Sequence, residues 1–191
     1  NQRETEIISD QPVVVTYSES AKSQSRIVAG HLWRLKAKFP AMTRAQAATL
    51  FAFAASMRGR LTTFTFIPDS HATPQGIATG TPLVVGAHTV GDDSIVIDGW
   101  TISQTGILKA GDFIKFNSYA KVYLVTAVCN SDGGGSATVS VTPPLIDALA
   151  NNEPAVVSNV PFSVVFDDDP LEWKTNRSSH SEYSAELVES L

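Results

Sequence analysis

The chain has 191 residues, 43% of them hydrophobic and 17% charged, and a formal net charge of −5 at pH 7. That apolar fraction excludes an intrinsically disordered chain, and the length allows one domain or two small ones that bury roughly two thirds of the unfolded surface. The acidic balance argues against a sequence-independent nucleic-acid binder, which needs a basic excess to release counterions, and a single cysteine, Cys129, excludes an intrachain disulfide or a cysteine-rich zinc site.

Residues 1–30 are polar apart from one β-like island, PVVVTY at 12–17, with serines crowding the stretch after it. They predict an arm or extended strand followed by a loop. The start NQRETEIISDQ has no signal-peptide core, and no stretch approaches the ~20 apolar residues of a membrane span, so a soluble protein made inside the cell is expected. The segment HLWRLKAKF places Trp33, Leu35, Ala37 and Phe39 on one face and Arg34, Lys36 and Lys38 on the other. A period of two predicts a half-buried antiparallel strand with a basic outer face, ended by Pro40.

The next segment, MTRAQAATLFAFAASMRG, predicts a helix over 44–58. Thr43 and Gln46 have the spacing of a capping box, and Ala47, Leu50, Phe51, Ala54 and Met57 recur at helical spacing as a stripe to be buried. Gly59 is expected to supply the left-handed residue that ends the helix, with Arg58 at the negative end of the helix dipole. On that reading Arg58 and Arg60 need no ligand to explain them. The alternation LTTFTFI then begins a strand.

From Asp69 the texture becomes rich in Pro, Gly, Thr and Ala, as in a linker or irregular crossover. Short strands follow at regular spacing (SIVIDGW, DFIKF, VYLVTAVC, ATVSVTP), separated by Gly-containing turns, a rhythm that predicts a small all-β barrel or sandwich. The tail resumes strand patterns, with Tyr183, Ala185 and Leu187 on one face. Glu182 and Glu186 on its other face are complementary to Arg34, Lys36 and Lys38, so the two strands are expected to share one sheet. The whole therefore reads as a mainly β chain with one α-helix. Residues 1–75 and 160–191 form one part, interrupted by an inserted, barrel-like all-β domain at 76–159.

No segment carries a catalytic signature, and no cofactor or metal is expected. The glycine cluster NSDGGGS lacks the Lys-Ser/Thr and the helix of a phosphate loop and reads as a turn. Asp167, Asp168 and Asp169 lack the spacing and Gly of a calcium loop. His31, His71, His88 and His180 form no zinc-binding pair, and no G-x-S-x-G elbow is present. Cys129 sits in an apolar run as a buried thiol would. Asn176-Arg177-Ser178 is formally a glycosylation sequon. Trp100, Tyr119 and Tyr123 are candidates for a sugar-stacking platform, against which core roles weigh more heavily.

The succession WRLKAKFPAMTRAQAATLFAFAASMRGRLTTFTFIPD, VIDGWTISQTGILKAGDFIKFNSYAKVYLVT, ATVSVTPPLIDAL and SAELVESL resembles the distal tail proteins of long-tailed bacteriophages, from about residue 30 to the end. The resemblance implies an N-terminal β-sandwich plus helix that closes a homo-oligomeric ring, usually of six copies, with a small β domain pointing outward. The ring would join the tail tube protein to the hub and tip proteins of the virion, be assembled in the bacterial cytoplasm, and meet DNA only in transit. On that implication Arg34, Lys36, Lys38, Arg58, Gly59 and Arg60 are subunit-interface candidates, and Asp167–Asp169 are candidates to line the lumen. A carbohydrate-binding module for host-surface glycans is the alternative, since the extra domain of this family sometimes binds them.

Overall fold

A computed structural model of the chain describes residues 2, 4–168, 174–175 and 180–191, for 174–175 and 180–182 by backbone alone. The chain is mainly β, and among the described residues it has a single α-helix. Contacts divide it into two compact units, Asn1–Phe64 with Val164–Ser190, and Thr65–Ser163. Residues 65–75, grouped with the first part by the texture change at Asp69, cluster instead with the second.

The first unit is organised by the alternation in Leu32–Lys38. Trp33, Leu35 and Ala37 are buried, while Leu32, Arg34, Lys36 and Lys38 lie on the other face. This strand is central in an antiparallel arrangement. Glu4–Asp10 pairs on one side, and Ser184–Glu189 pairs on the other with Glu186 opposite Lys36 and Leu187 opposite Leu35. The order across the five-stranded sheet is Glu4–Asp10, Leu32–Lys38, Ser184–Glu189, Phe162–Phe166, Phe64–Phe66. The two halves of the chain thus meet in one sheet, as the charge pattern of its strands implies. Burying Leu35 and Leu187 fully contributes roughly 1.5–3 kcal/mol each.

Of the two expectations for the polar N-terminal stretch, an arm or an extended strand, the second holds: Glu4–Asp10 is an edge strand of this sheet. The β-like island is a strand, Val13–Tyr17, but the serine-rich stretch after it also folds as one, Ser23–Ile27. The two form a hairpin that stands as a sheet of its own. A further small sheet joins Met42–Thr43 to His180–Glu182 and Lys174–Thr175.

The helix covers Arg44–Ser56, two residues shorter than expected. At its start the Thr43 backbone N–H donates to Gln46 Oε1 at 3.1 Å, and the Thr43 hydroxyl donates to the same oxygen at 3.1 Å. At its end Gly59 does not act alone. Arg58 itself adopts φ 55° and Gly59 follows at φ 63°, so the chain turns left-handed over two residues before a 3-10 turn at Gly59–Leu61. Arg58 is held there because Gly59 is buried and the Thr62 backbone N–H donates back to Met57 O. The stripe is also shallower than expected: Ala47 and Ala54 are buried, while Leu50, Phe51 and Met57 are only half-buried.

The second unit is a nearly closed, six-stranded barrel-like sheet. Its order is Ala155–Val156, Phe113–Phe116, Val122–Val125, Ala137–Thr142, Ser94–Trp100, Gly80–Val84, and a bridge from Leu83 to Pro154 brings the two edges together. Strand Gly80–Val84 lies in the stretch whose composition suggested a linker. There the glycines are structural. Gly80 and Gly99 both have positive φ, and a Cβ on either would fall on a carbonyl oxygen of the opposite strand. The core is filled by alternating side chains such as Ile95, Ile97, Ile114, Phe116, Val125 and Val139.

Candidate functional site

The charged residues of the first unit form a ladder on the open face of the five-stranded sheet. Lys38 Nζ lies 3.0 Å from Glu4 Oε2, and Lys36 Nζ lies 3.1 Å from Glu186 Oε1. Arg34 Nε donates to Asp10 Oδ2 at 2.7 Å, and its Nη1 donates to Asp167 Oδ2. The Asp10 hydrogen bond first, then the Asp167 charge, raises the Arg34 guanidinium above its usual value. Lys36 is raised likewise, chiefly by its hydrogen bond to Glu186. Three of the interface candidates, Arg34, Lys36 and Lys38, are therefore occupied within the chain.

Arg60 joins the same cluster by donating to the Asp167 backbone carbonyl, with its Nη2 3.6 Å from Asp167 Oδ1. Asp167, chosen as a lumen candidate, consequently sits between two guanidiniums. It acts as a tie rather than as a free carboxylate. Asp168 is exposed, and Asp169 lies outside the described residues. So do Asn176–Ser178 of the sequon. Arg58 is exposed, while Gly59 is buried and so offers a neighbouring subunit no surface.

Trp100 and Tyr123 are both buried in the barrel core, and the hydroxyl of the partly buried Tyr119 donates to Ala148 O at 2.6 Å. Stacking a sugar needs an exposed ring face, so these three side chains do not form a platform.

The histidines are dispersed. His31 Nε2 lies 2.8 Å from Ser9 Oγ, and its ring meets Trp33 edge-on with centroids 4.5 Å apart. His71 Nδ1 lies 2.8 Å from Ser70 Oγ, and His88 Nδ1 lies 3.5 Å from Asp92. Among the described residues no group of three His, Cys, Asp or Glu side chains could hold a metal ion, and no helix is long and apolar enough to cross a membrane. Burial pushes the Cys129 thiol up, away from the thiolate needed of a nucleophile. In the glycine cluster, Asp132 Oδ1 accepts from Ser136 N at 2.9 Å and Gly134 N at 2.8 Å. Those bonds, Ser136 first, hold the Asp132 carboxyl below its usual range, and the loop is closed by its own aspartate rather than by a phosphate.

Two surfaces have no such internal explanation. The Val13–Tyr17/Ser23–Ile27 hairpin is exposed at every residue. The helix leaves Ala45, Gln46, Thr49, Ala52, Phe53 and Ser56 exposed, and no charged residue occurs between Arg44 and Arg58. Sequence reading identified the apolar island at 12–17 but took the serine-rich second strand of the hairpin for a loop, and it assigned the helix to the core. Contiguous exposed apolar surface is where contacts with other molecules are most often made. No protein-family model matches the chain, and no protein of curated function matches it.

Proposed function

We propose that the chain is a structural, non-enzymatic subunit of a bacteriophage tail tip. Copies close into a ring, of six by the family resemblance, that joins the tail tube to the hub and tip proteins and lets DNA pass through its lumen. The observation that carries this reading is the topology. One sheet is assembled from both ends of the sequence, with Ser184–Glu189 inserted beside Leu32–Lys38, while Thr65–Ser163 clusters as a separate, barrel-like unit. That organisation suits the division of labour the resemblance implies, in which a closed body builds the ring and an interposed domain is displayed from it.

The charged cluster fits the same role. Ion pairs that tie strand to strand within one copy stiffen the sheet and leave uncharged surfaces to make the contacts between copies. A cyclic assembly requires two unlike patches on each copy, repeated until the rotation closes. The passage itself is proposed to be lined with acids, because a lumen of lysines and arginines would hold DNA by counterion release. Asp168 is exposed and offers its carboxylate for that lining, while the charge of Asp167 is already balanced by Arg34 and Arg60.

The test is the mass of the purified chain in solution, combined with negative-stain images. A single closed ring several times the 20.4 kDa of one chain is expected. A monodisperse monomer at concentrations up to about 100 µM, with no ring on the grid, overturns the reading.

A further inference from the structure

Pairing in the hairpin sets Val13 opposite Ile27, Val15 opposite Ser25 and Tyr17 opposite Ser23. Side chains of directly paired residues share a face, and residues two apart along a strand do too. One face therefore presents Val13, Val15, Tyr17 and Ile27 with two serines and no charge, and the other presents Val14, Thr16, Gln24 and Arg26. The four apolar side chains of the first face are 46%, 47%, 71% and 65% exposed, respectively. A two-stranded hairpin is at best marginally stable alone in water, and this one has no third strand and no buried residue.

We infer that the apolar face of this hairpin docks on the uncharged helix face of a second copy of the same chain, around Ala45, Thr49, Ala52 and Phe53. The inference rests on the ring reading and specifies its contact. Electrostatics favours this occupant, because neither surface carries a charge that contact would strip of water. Phe53 is 43% exposed, and the exposed Ala45 and Ala52 on the same helix face let a strand pair approach the helix closely. The two surfaces are unlike each other, so the contact is heterologous and each copy both gives a hairpin and receives one.

The area is consistent with a ring rather than an isolated dimer. With an aromatic side chain at roughly 200 Å² and aliphatic ones somewhat less, the hairpin face offers on the order of 400 Å². That is about half of the roughly 800 Å² per partner of a standard interface. A single such contact would be weak, whereas each member of a closed ring makes it twice.

The experiment uses the full chain with Cys129→Ala as background. Val15→Cys and Phe53→Cys are introduced separately, mixed and treated with a short bismaleimide. A heterologous crosslink is expected in the mixture, at least tenfold above either variant alone, and the chain bearing both cysteines should give a ladder that stops at the ring number. Val15→Glu should weaken self-association at least tenfold while leaving the melting temperature of the monomer unchanged, since Val15 supports no core. Rings that form equally well with Val15→Glu and give no Val15–Phe53 crosslink overturn the contact while the ring stands. A wild-type chain that is monomeric and uncrosslinked at about 100 µM overturns both. Vesicle binding by the wild type that is lost in Val15→Glu, without self-association, would assign the face to a lipid surface and overturn the second-copy occupant.

Discussion

Asp112 is the residue on which the barrel's irregular stretches converge, and replacing it with Asn is a sharp test of how the second unit is held. Its side chain is almost fully buried and accepts three backbone hydrogen bonds: Gln75 N at 2.7 Å on Oδ1, then Lys109 N at 2.8 Å and Gly76 N at 3.2 Å on Oδ2. Asn offers one oxygen. At best that oxygen keeps Lys109 and Gly76, while the new NH₂ group faces the Gln75 N–H, donor against donor. Hydrogen bonds to a charged acceptor contribute about 1.5–3 kcal/mol against about 1 for neutral ones, and an orphaned buried donor costs about 1–3. Two weakened bonds and one orphan add up to roughly 3–5 kcal/mol, and partial water access to the loop reduces this to about 2–4. At about 4–8 °C per kcal/mol for a domain near 100 residues, the barrel should melt roughly 8–32 °C earlier. Urea unfolding gives the free energy, and hydrogen exchange at the three donor amides gives the location. Asp93→Asn, on an exposed side chain one strand away, should leave the transition where it is. A loss below about 1 kcal/mol, with the Gln75, Gly76 and Lys109 amides still protected, would refute the convergence of the 75–76 segment and the 109–112 turn on this carboxylate.

Two further outcomes follow from the first unit. A double-mutant cycle of Arg34→Met with Asp10→Asn should give a coupling of about 0.5–1 kcal/mol that shrinks in 1 M salt, because both side chains remain partly exposed; a coupling near zero at low salt would make the ladder decorative. Burial raises the Tyr183 phenol above its ordinary value, and its hydroxyl has no hydrogen-bond partner among the described residues. A raised folded-state value means stability that is fully present below the unfolded phenol's pKa, near 10, and lost as pH rises through the folded value. Tyr183→Phe should therefore flatten the alkaline limb of the stability profile, and an unchanged limb measured by urea titration between about pH 9 and 11 would contradict the burial of the phenol.

How much of this was legible in the sequence differs from strand to strand, and the difference has a physical cause. Leu32–Lys38 is legible because one of its faces is buried and the other is not, so burial writes a period of two into the residues. Its C-terminal neighbour is legible for the same reason, with Ala185 and Leu187 buried between Ser184 and Glu186. The Glu4–Asp10 strand is not, because an edge strand need not bury an alternating set. What specifies it is charge placed opposite charge: Glu4 faces Lys38 and Glu6 faces Lys36, and that information resides in the partner strand rather than in the segment itself. The Asp167 tie is hidden in another way. Arg34 and Arg60 reach it across 133 and 107 residues, and no local pattern encodes a meeting that the sheet order brings about.

The helix shows a limit of periodicity that bears on the proposed ring. Spacing of 3.6 residues fixes which side chains share a face, but it measures their apolarity against water and not against any particular cover. Residues 45–57 are apolar or uncharged almost all round, a composition expected of a helix buried on every side. Within one copy only Ala47 and Ala54 are buried, and Phe53 is left exposed with its ring edge-on to Phe64 at 5.4 Å. A surface covered by a neighbouring copy is selected by the same hydrophobic penalty as a surface covered by the chain's own sheet, so sequence alone reads both as core. The surplus of apolar residues over what one copy can bury is therefore itself information. Here it is densest on the Val13–Ile27 hairpin, where Val13, Val14, Val15, Tyr17 and Ile27 are all exposed, and it continues at Phe53 of the helix, whereas the inward side chains of the barrel strands are enclosed within their own unit. If burial inside one copy were all that the sequence had been shaped by, the exposed stripe from Ala45 to Ser56 should carry the lysines and glutamates usual on a solvated helix, and it carries none.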